Sequence, residues 1–168
     1  MVQKLQWLQR HDRESGDLYG VVPLVVGMPV AVTDHIDRNP EKQLLRGTVG
    51  KINSWVEADE EDAEDVDGVR ILKKLPKVVF VKFTRSDGPD VPWHLKGTPE
   101  PGVYPIVPKK GFCFFDKQRQ HPILKISRKQ LPLAPAFAMT AHASQGQTLR
   151  RGATVDLCMP KGENCMGS

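Results

Sequence analysis

Apolar and polar residues alternate in short bursts along most of this chain. Met28-Pro-Val-Ala-Val-Thr33 is a β-branched run bounded by Gly27 and Asp34, and Arg46–Trp55 sets Val49 and Ile52 among polar neighbours. Lys77-Val-Val-Phe-Val-Lys-Phe83 is the cleanest strand pattern, rich in β-branched and aromatic residues. Val103–Val107 and Ile123–Ile126 add two more strands, each weakened by a neighbouring proline. Short strands separated by turn residues predict a small β-barrel rather than a helical bundle. Ahead of them, Leu5 and Leu8 share a face, so residues 1–19 read as a short helix with a polar lead-in that ends around Asp12, Ser15, Gly16 and Asp17.

Two segments interrupt the strands. Glu57–Asp67 repels itself and predicts a mobile acidic loop, while Ser86–Gly102, with Pro89, Pro92, Pro99 and Pro101, predicts a long irregular connection. The texture changes again towards the C-terminus. Ala136-Phe-Ala-Met-Thr140 is an apolar strand candidate, His142–Gln147 a short helix, and Ala153–Leu157 a second strand. The connection between those strands is about the minimum for a parallel crossover. A right-handed β-α-β unit is therefore expected, with its loop at the carboxyl end of the first strand, where open α/β sheets bind ligands.

A length of 168 residues implies one domain, or one with a small insert. With 39% hydrophobic and 26% charged residues, the composition supports a core and excludes a wholly disordered chain. The longest apolar stretch, Val21–Val32, is broken by Pro23, Gly27 and Pro29 and falls short of the roughly 20 residues a spanning helix needs. The opening residues hold no apolar signal core, so an intracellular protein that is neither secreted nor membrane-bound is expected. Cys113, Cys158 and Cys165 are odd in number and lack C-x-x-C spacing, which predicts free thiols rather than disulfides or a zinc ribbon. His35, His94 and His121 lie far apart without ligand spacing, so no metal site is expected.

The net charge of +4 conceals a strong asymmetry. Glu57–Asp67 holds eight acidic residues, leaving 24 basic against 12 acidic residues in the rest of the chain. Lys109–Arg151 carries nine basic residues and one acidic residue, Asp116. That imbalance suits a polyanionic partner, although solvated loops of a basic protein would produce it too. Within Lys109–Lys117, Phe112, Phe114 and Phe115 are expected to fill the barrel core, with stacking on a single-stranded nucleic acid as the alternative. Trp55 and Trp93 are expected to be packing residues.

The segment richest in chemistry is Leu131–Leu149. A buried strand ends at Thr140 and opens onto small and polar residues: Ala141, Ala143, Ser144 and Gly146 would let a ligand backbone approach closely. Thr140, Ser144 and the amides of a helix start could hold phosphate oxygens, with further hydrogen bonds from His142 and Gln145. This set suits a sugar-phosphate backbone better than base edges. His142 and Ser144 lack a third orienting group, so no catalytic residue is assigned.

Thr140-Ala-His142-Ala-Ser144-Gln145-Gly146-Gln-Thr148-Leu149 resembles motif V of superfamily-one DNA helicases of the Pif (petite integration frequency) and RecD type. Upstream, Leu24–Val32 and Leu45–Ile52 resemble the strands leading into that family's second RecA-like domain, and Leu75–Phe80 resembles the first strand of its small Src-homology-3-like insert. The resemblance implies an α/β fold, part of a RecA-like P-loop domain, carrying a small β-barrel insert and β-rich overall. It divides the chain into residues 1–19, an N-terminal helix and lead-in; 20–52, strands leading into the RecA-like domain; 53–130, the barrel insert with loops 57–67 and 86–102; and 131–168, the motif V strand-helix-strand ending before motif VI.

The same resemblance implies a C-terminal fragment of an ATP-dependent DNA helicase acting in DNA repair or recombination. Thr140, His142 and Ser144 would contact single-stranded DNA, while Gln145 and Gly146 would couple that grip to the nucleotide cleft. Its cofactors, ATP and Mg²⁺, come from the family alone. The chain has no G-x-x-x-x-G-K-[ST], no metal-binding Asp-Glu pair at a strand end and no motif VI arginine, so it is expected to bind neither cofactor and to be inactive by itself. The ATPase half would be supplied in cis by a longer chain, in the nucleus or mitochondrion. Ala143 stands where the family has a basic residue. A reading of a different class is a non-catalytic β-barrel module that binds nucleic acid or protein.

Overall fold

The computed structural model describes residues 18–58, 63–84, 91–114, 125–139 and 154–155. The chain divides into a unit of residues 1–138 and a short unit of residues 139–168, in which Met139, Thr154 and Val155 are described. The first unit holds the strands β1 (Pro29–Val32), β2 (Val49–Val56), β3 (Ala63–Val66), β4 (Val69–Leu72), β5 (Val78–Phe83), β6 (Val103–Ile106), β7 (Lys109–Phe114), β8 (Lys125–Gln130) and β9 (Leu133–Pro135). No helix occurs among the described residues, so the β-rich expectation holds there while the α/β part finds no counterpart in them.

Five strands form an antiparallel sheet in the order β6-β5-β2-β1-β9. Period-two burial explains why these sequences are strands: Val30 and Val32 of β1, Ile52 of β2, and Val79, Val81 and Phe83 of β5 point into one core with Ile106 and Leu133. Leu44, Val91, Trp93 and Leu131 complete it from the connections. Both edge strands carry proline, Pro105 in β6 and Pro135 in β9, which removes donors from the rims and discourages pairing with another chain.

Simple alternation would place Ile52 and Trp55 on opposite faces of β2. The ladder shifts between them: Ile52 opposes Val81, Ser54 opposes Phe80, and Asn53 is the extra residue of a β-bulge. Trp55 thereby falls opposite buried Val79 and packs against the core. Asn53 donates to Glu100 Oε1 at 3.0 Å, and Lys82 pairs with the same carboxylate. The bulge is thus tied to the irregular segment before β6. That segment, as described over residues 91–102, is irregular as expected, but Val91 and Trp93 anchor it in the core.

Three local expectations change. Part of the acidic run is a strand: β3 pairs with β4 from Ala63↔Leu72 to Val66↔Val69. Asp67 and Gly68 both take positive φ, 50° and 76°, as a two-residue hairpin turn requires. Arg70 bonds Glu57 at 2.9 Å and Lys73 pairs with Glu64 at 3.3 Å, offsetting part of the repulsion that predicted a loop. Lys109–Phe114 is also a strand, and its partner β8 continues to Gln130, past the end of the expected Ile123–Ile126, of which Ile123 and Leu124 lie outside the described residues.

The third change concerns Ala136–Thr140. Leu133–Pro135 forms the strand instead, antiparallel to β1, and Ala136–Met139 have irregular backbone. The reason lies in β1. The Ala136 amide donates to Pro29 O at 2.9 Å, where β1 begins. Before it, Val25–Met28 turns sharply, closed by Met28 N to Val25 O at 3.0 Å, and Met28 O is taken by Ile52 of β2. The ladder therefore has no further partner for residues beyond Ala136, and Phe137 is 75% exposed. Thr154 and Val155 also lie outside any strand, and all of the expected helix His142–Gln147 and the rest of the expected second strand lie outside the described residues, as do residues 1–17 of the expected N-terminal helix and lead-in.

Candidate nucleic-acid interface

Thr140, His142, Ser144, Gln145 and Gly146 all lie outside the described residues. The approach to them is described. Leu131 and Leu133 are fully buried, and β9 is held against β1 by the register Val30↔Pro135, Ala31↔Ala134 and Val32↔Leu133. The chain therefore leaves the sheet at a defined point, beside the first residue of β1.

The Gly50-Lys51 pair can be tested as a phosphate loop. Both residues sit inside β2, with Gly50 opposite Phe83 and Lys51 opposite Lys82. A Cβ at Gly50 would meet Val81 Cγ1 at 2.7 Å and Lys82 O at 2.8 Å, so this glycine serves close strand packing. An extended strand whose amides are engaged in a ladder does not cradle a triphosphate, and these residues do not fit ATP and Mg²⁺. Among the described residues, no group of three His, Cys, Asp or Glu side chains could hold a metal ion.

The basic segment, by contrast, forms a defined surface. β7 and β8 make a two-stranded ribbon with Lys109↔Gln130, Lys110↔Lys129, Gly111↔Arg128 and Phe112↔Ser127 in register. Neither strand contains an acidic residue. One side of the ribbon is tied down: Arg128 Nη1 donates to Leu18 O at 2.8 Å, and buried Gln130 donates to Gly20 O at 3.3 Å while its Oε1 accepts from the Leu131 amide at 2.9 Å. Lys109 bonds Asp34, and that hydrogen bond, with a second from the His35 amide, holds the Asp34 carboxyl below its ordinary range.

The other side carries Lys110, Phe112, Ser127 and Lys129, all exposed. Phe112, expected in the core, is 51% exposed, and the Lys110 ammonium lies 5.5 Å from its ring centroid. Strand alternation explains the correction. Docking through Gln130 selects the odd positions of β7 as the inner side, and Phe112 falls on the even side. Trp93 packs in the core and half-buried Trp55 packs against it, as expected, with Trp93 edge-on to Tyr104 at 6.2 Å. The two described candidate histidines have local partners. His35 Nδ1 faces the Arg46 amide at 3.4 Å, and His94 Nε2 lies 3.1 Å from Thr98 O.

No family profile matches this sequence, and no curated protein does. Among solved structures, the chain is similar to part of a Pif1 helicase from Candida albicans, with 24% identity and a TM-score of 0.48. The likeness covers 87% of this chain and 28% of that one, so the chain spans under a third of the length of that structure.

Proposed function

We propose that this chain is a C-terminal portion of a DNA helicase motor that grips the backbone of single-stranded DNA. The observation that carries this reading is the segment Thr140-Ala-His142-Ala-Ser144-Gln145-Gly146-Gln-Thr148-Leu149, following a strand-rich region in the order the family resemblance implies. Thr140, His142 and Ser144 hold phosphate oxygens; Gln145 and Gly146 lie towards a nucleotide cleft. ATP and Mg²⁺ are held by another part of the motor, a half supplied in cis by a longer chain, because Gly50-Lys51 is built into a sheet. Coupling between grip and nucleotide needs both halves, so this chain keeps the grip without the cycle.

The test is a titration of fluorescent oligo(dT) into the full chain at several salt concentrations. Binding that weakens with salt is expected. His142→Ala and Ser144→Ala are each expected to weaken it without lowering the melting temperature. Unchanged affinity in both variants would remove motif V from the interface and end this reading.

A further inference from the structure

The β3–β4 hairpin stands apart from the rest of the fold in what holds it. None of its residues belongs to the core, and among the described residues it is a two-stranded sheet of its own. A lone hairpin is marginal in water, and further strands or a packed apolar face make such a unit stable. This one keeps its apolar face in solvent. The pairs Val66↔Val69 and Glu64↔Ile71 put Val66, Val69 and Ile71 on one side of the ribbon, and they are 42%, 63% and 48% exposed.

Its edges are open as well. The outer strands of the large sheet, β6 and β9, each carry a proline, and β7 and β8 both carry lysines; each device discourages pairing with another chain. β3 and β4 contain neither residue. The two edges of the hairpin differ in charge. β3 carries Glu64 and Asp65 and follows the acidic residues Asp59–Asp62, so two β3 edges would repel each other. Cations on the β4 side are compensated within the chain: Arg70 bonds Glu57 at 2.9 Å and Lys73 pairs with Glu64 at 3.3 Å. A basic strand of another protein would gain most at β3. β4, charge-compensated and otherwise apolar, is best matched by itself.

The turn decides which backbone groups β4 offers. In a two-residue hairpin the flanking residues, here Val66 and Val69, bond to each other. Ladder alternation then directs the N–H and C=O of Arg70 and Leu72 to the open edge. Among the described residues no backbone bond reaches them. Two β4 strands can meet antiparallel about a two-fold axis with Ile71 opposite Ile71. Arg70 then exchanges backbone bonds with Leu72 of the second copy, and the valine and isoleucine faces of the two hairpins join on one side of a four-stranded sheet. Centring the pair on Arg70 instead would oppose two guanidinium groups. We propose that this chain pairs with a second copy of itself through the open edge of β4, as an isologous strand addition. The acidic β3 strands lie at the far edges of the joint sheet. The contact is small, so its dimer belongs to the weak, concentration-dependent class. It uses none of the residues assigned to the DNA grip.

Sedimentation velocity of the full chain over a wide concentration series tests this. Wild type is expected to move from the monomer towards twice its mass as concentration rises, in low and high salt alike, because backbone bonds and apolar contact are little screened. Ile71→Lys is expected to stay monomeric throughout. Ile71 is half-exposed and sits opposite Glu64, so this variant is expected to keep the melting temperature of dilute wild type. A cysteine on the two-fold axis tests the register. Residues opposed without mutual hydrogen bonds bring their Cα atoms to about 4.5 Å, within disulfide reach. With oxidised glutathione, Ile71→Cys is expected to form a covalent dimer faster than wild type, which has three cysteines of its own, and faster than Ser127→Cys on another exposed strand position.

A dimer that Ile71→Lys removes and Ile71→Cys traps supports the proposal. Monomer at every concentration overturns it, as does a dimer that survives Ile71→Lys, or cross-linking of Ile71→Cys no faster than that of Ser127→Cys. None of these outcomes bears on the oligo(dT) titration, so the two readings fail separately.

Discussion

Tyr104 donates its hydroxyl proton to Asp37 Oδ2 at 3.2 Å, linking edge strand β6 to the connection between β1 and β2. Lys42 pairs with the same oxygen at 2.9 Å and places its ammonium 5.8 Å from the Tyr104 ring centroid. The carboxylate also accepts the Asn39 amide at 2.9 Å. Residues 37–42 are thus fastened to a strand far along the chain by one ionised group. Trp93 meets the same tyrosine edge-on, so the fastening continues into the core.

That arrangement sets an acid limit on stability. The hydrogen bond from Lys42 is the largest cause holding the Asp37 carboxyl below its ordinary value. A carboxylate with a lowered folded-state pKa stabilises the fold fully above its unfolded pKa, about 3.9, and loses that contribution as pH falls through the folded value. Asp34, lowered mainly by Lys109, acts in the same direction. Melting temperatures are expected to fall as pH drops below about 4, and to fall less steeply in Asp37→Asn. Tyr104→Phe is expected to cost about 1 kcal/mol at neutral pH. An acid transition as steep in Asp37→Asn as in the wild type would exclude Asp37 as its source.

Gly50 offers a packing test. A methyl group there would press on Val81, on the Lys82 carbonyl and on the Phe83 ring, and Val81 and Phe83 are both buried in the centre of the sheet. Gly50→Ala is expected to destabilise by about 1–3 kcal/mol, as overpacking in a rigid core does. Urea unfolding followed by tryptophan fluorescence measures it. A variant as stable as wild type would mean that β2 and β5 can move apart.

The same glycine bears on nucleotide chemistry. Because Gly50-Lys51 is a ladder segment, purified chain incubated with Mg²⁺ and ATP is expected to release phosphate at the background rate, with or without oligo(dT). Turnover above background that Lys51→Ala abolishes would reverse that assignment.

The elements that were legible in the sequence are those whose own alternation matched their burial. β1, β2, β5 and β6 fall within a residue or so of the expected spans, apart from the later start of β2. The β3–β4 hairpin was hidden because its charges outweigh its pattern, although Val66-Asp-Gly-Val69 carries the Asp-Gly turn signal. In β7, Lys109-Lys-Gly-Phe-Cys-Phe114 offers apolar residues to both faces, so it does not say which face is inward. The motif V residues lie outside the described part, and their reading still stands on the sequence alone.

Local pattern by itself determined the β-rich character, the position of the central strands, the separation of acidic from basic segments and the motif that suggests a nucleic-acid backbone. Side-chain alternation and charge are properties of neighbouring residues and need no distant partner. Tertiary structure decided what depends on distant partners: the bulge at Asn53 that turns Trp55 inward beside Val79, the end of the β1–β9 ladder that leaves Phe137 outside, and the docking of Gln130 that turns Phe112 towards solvent. In each case the local pattern left the outcome open, and it was decided by a contact made tens of residues away.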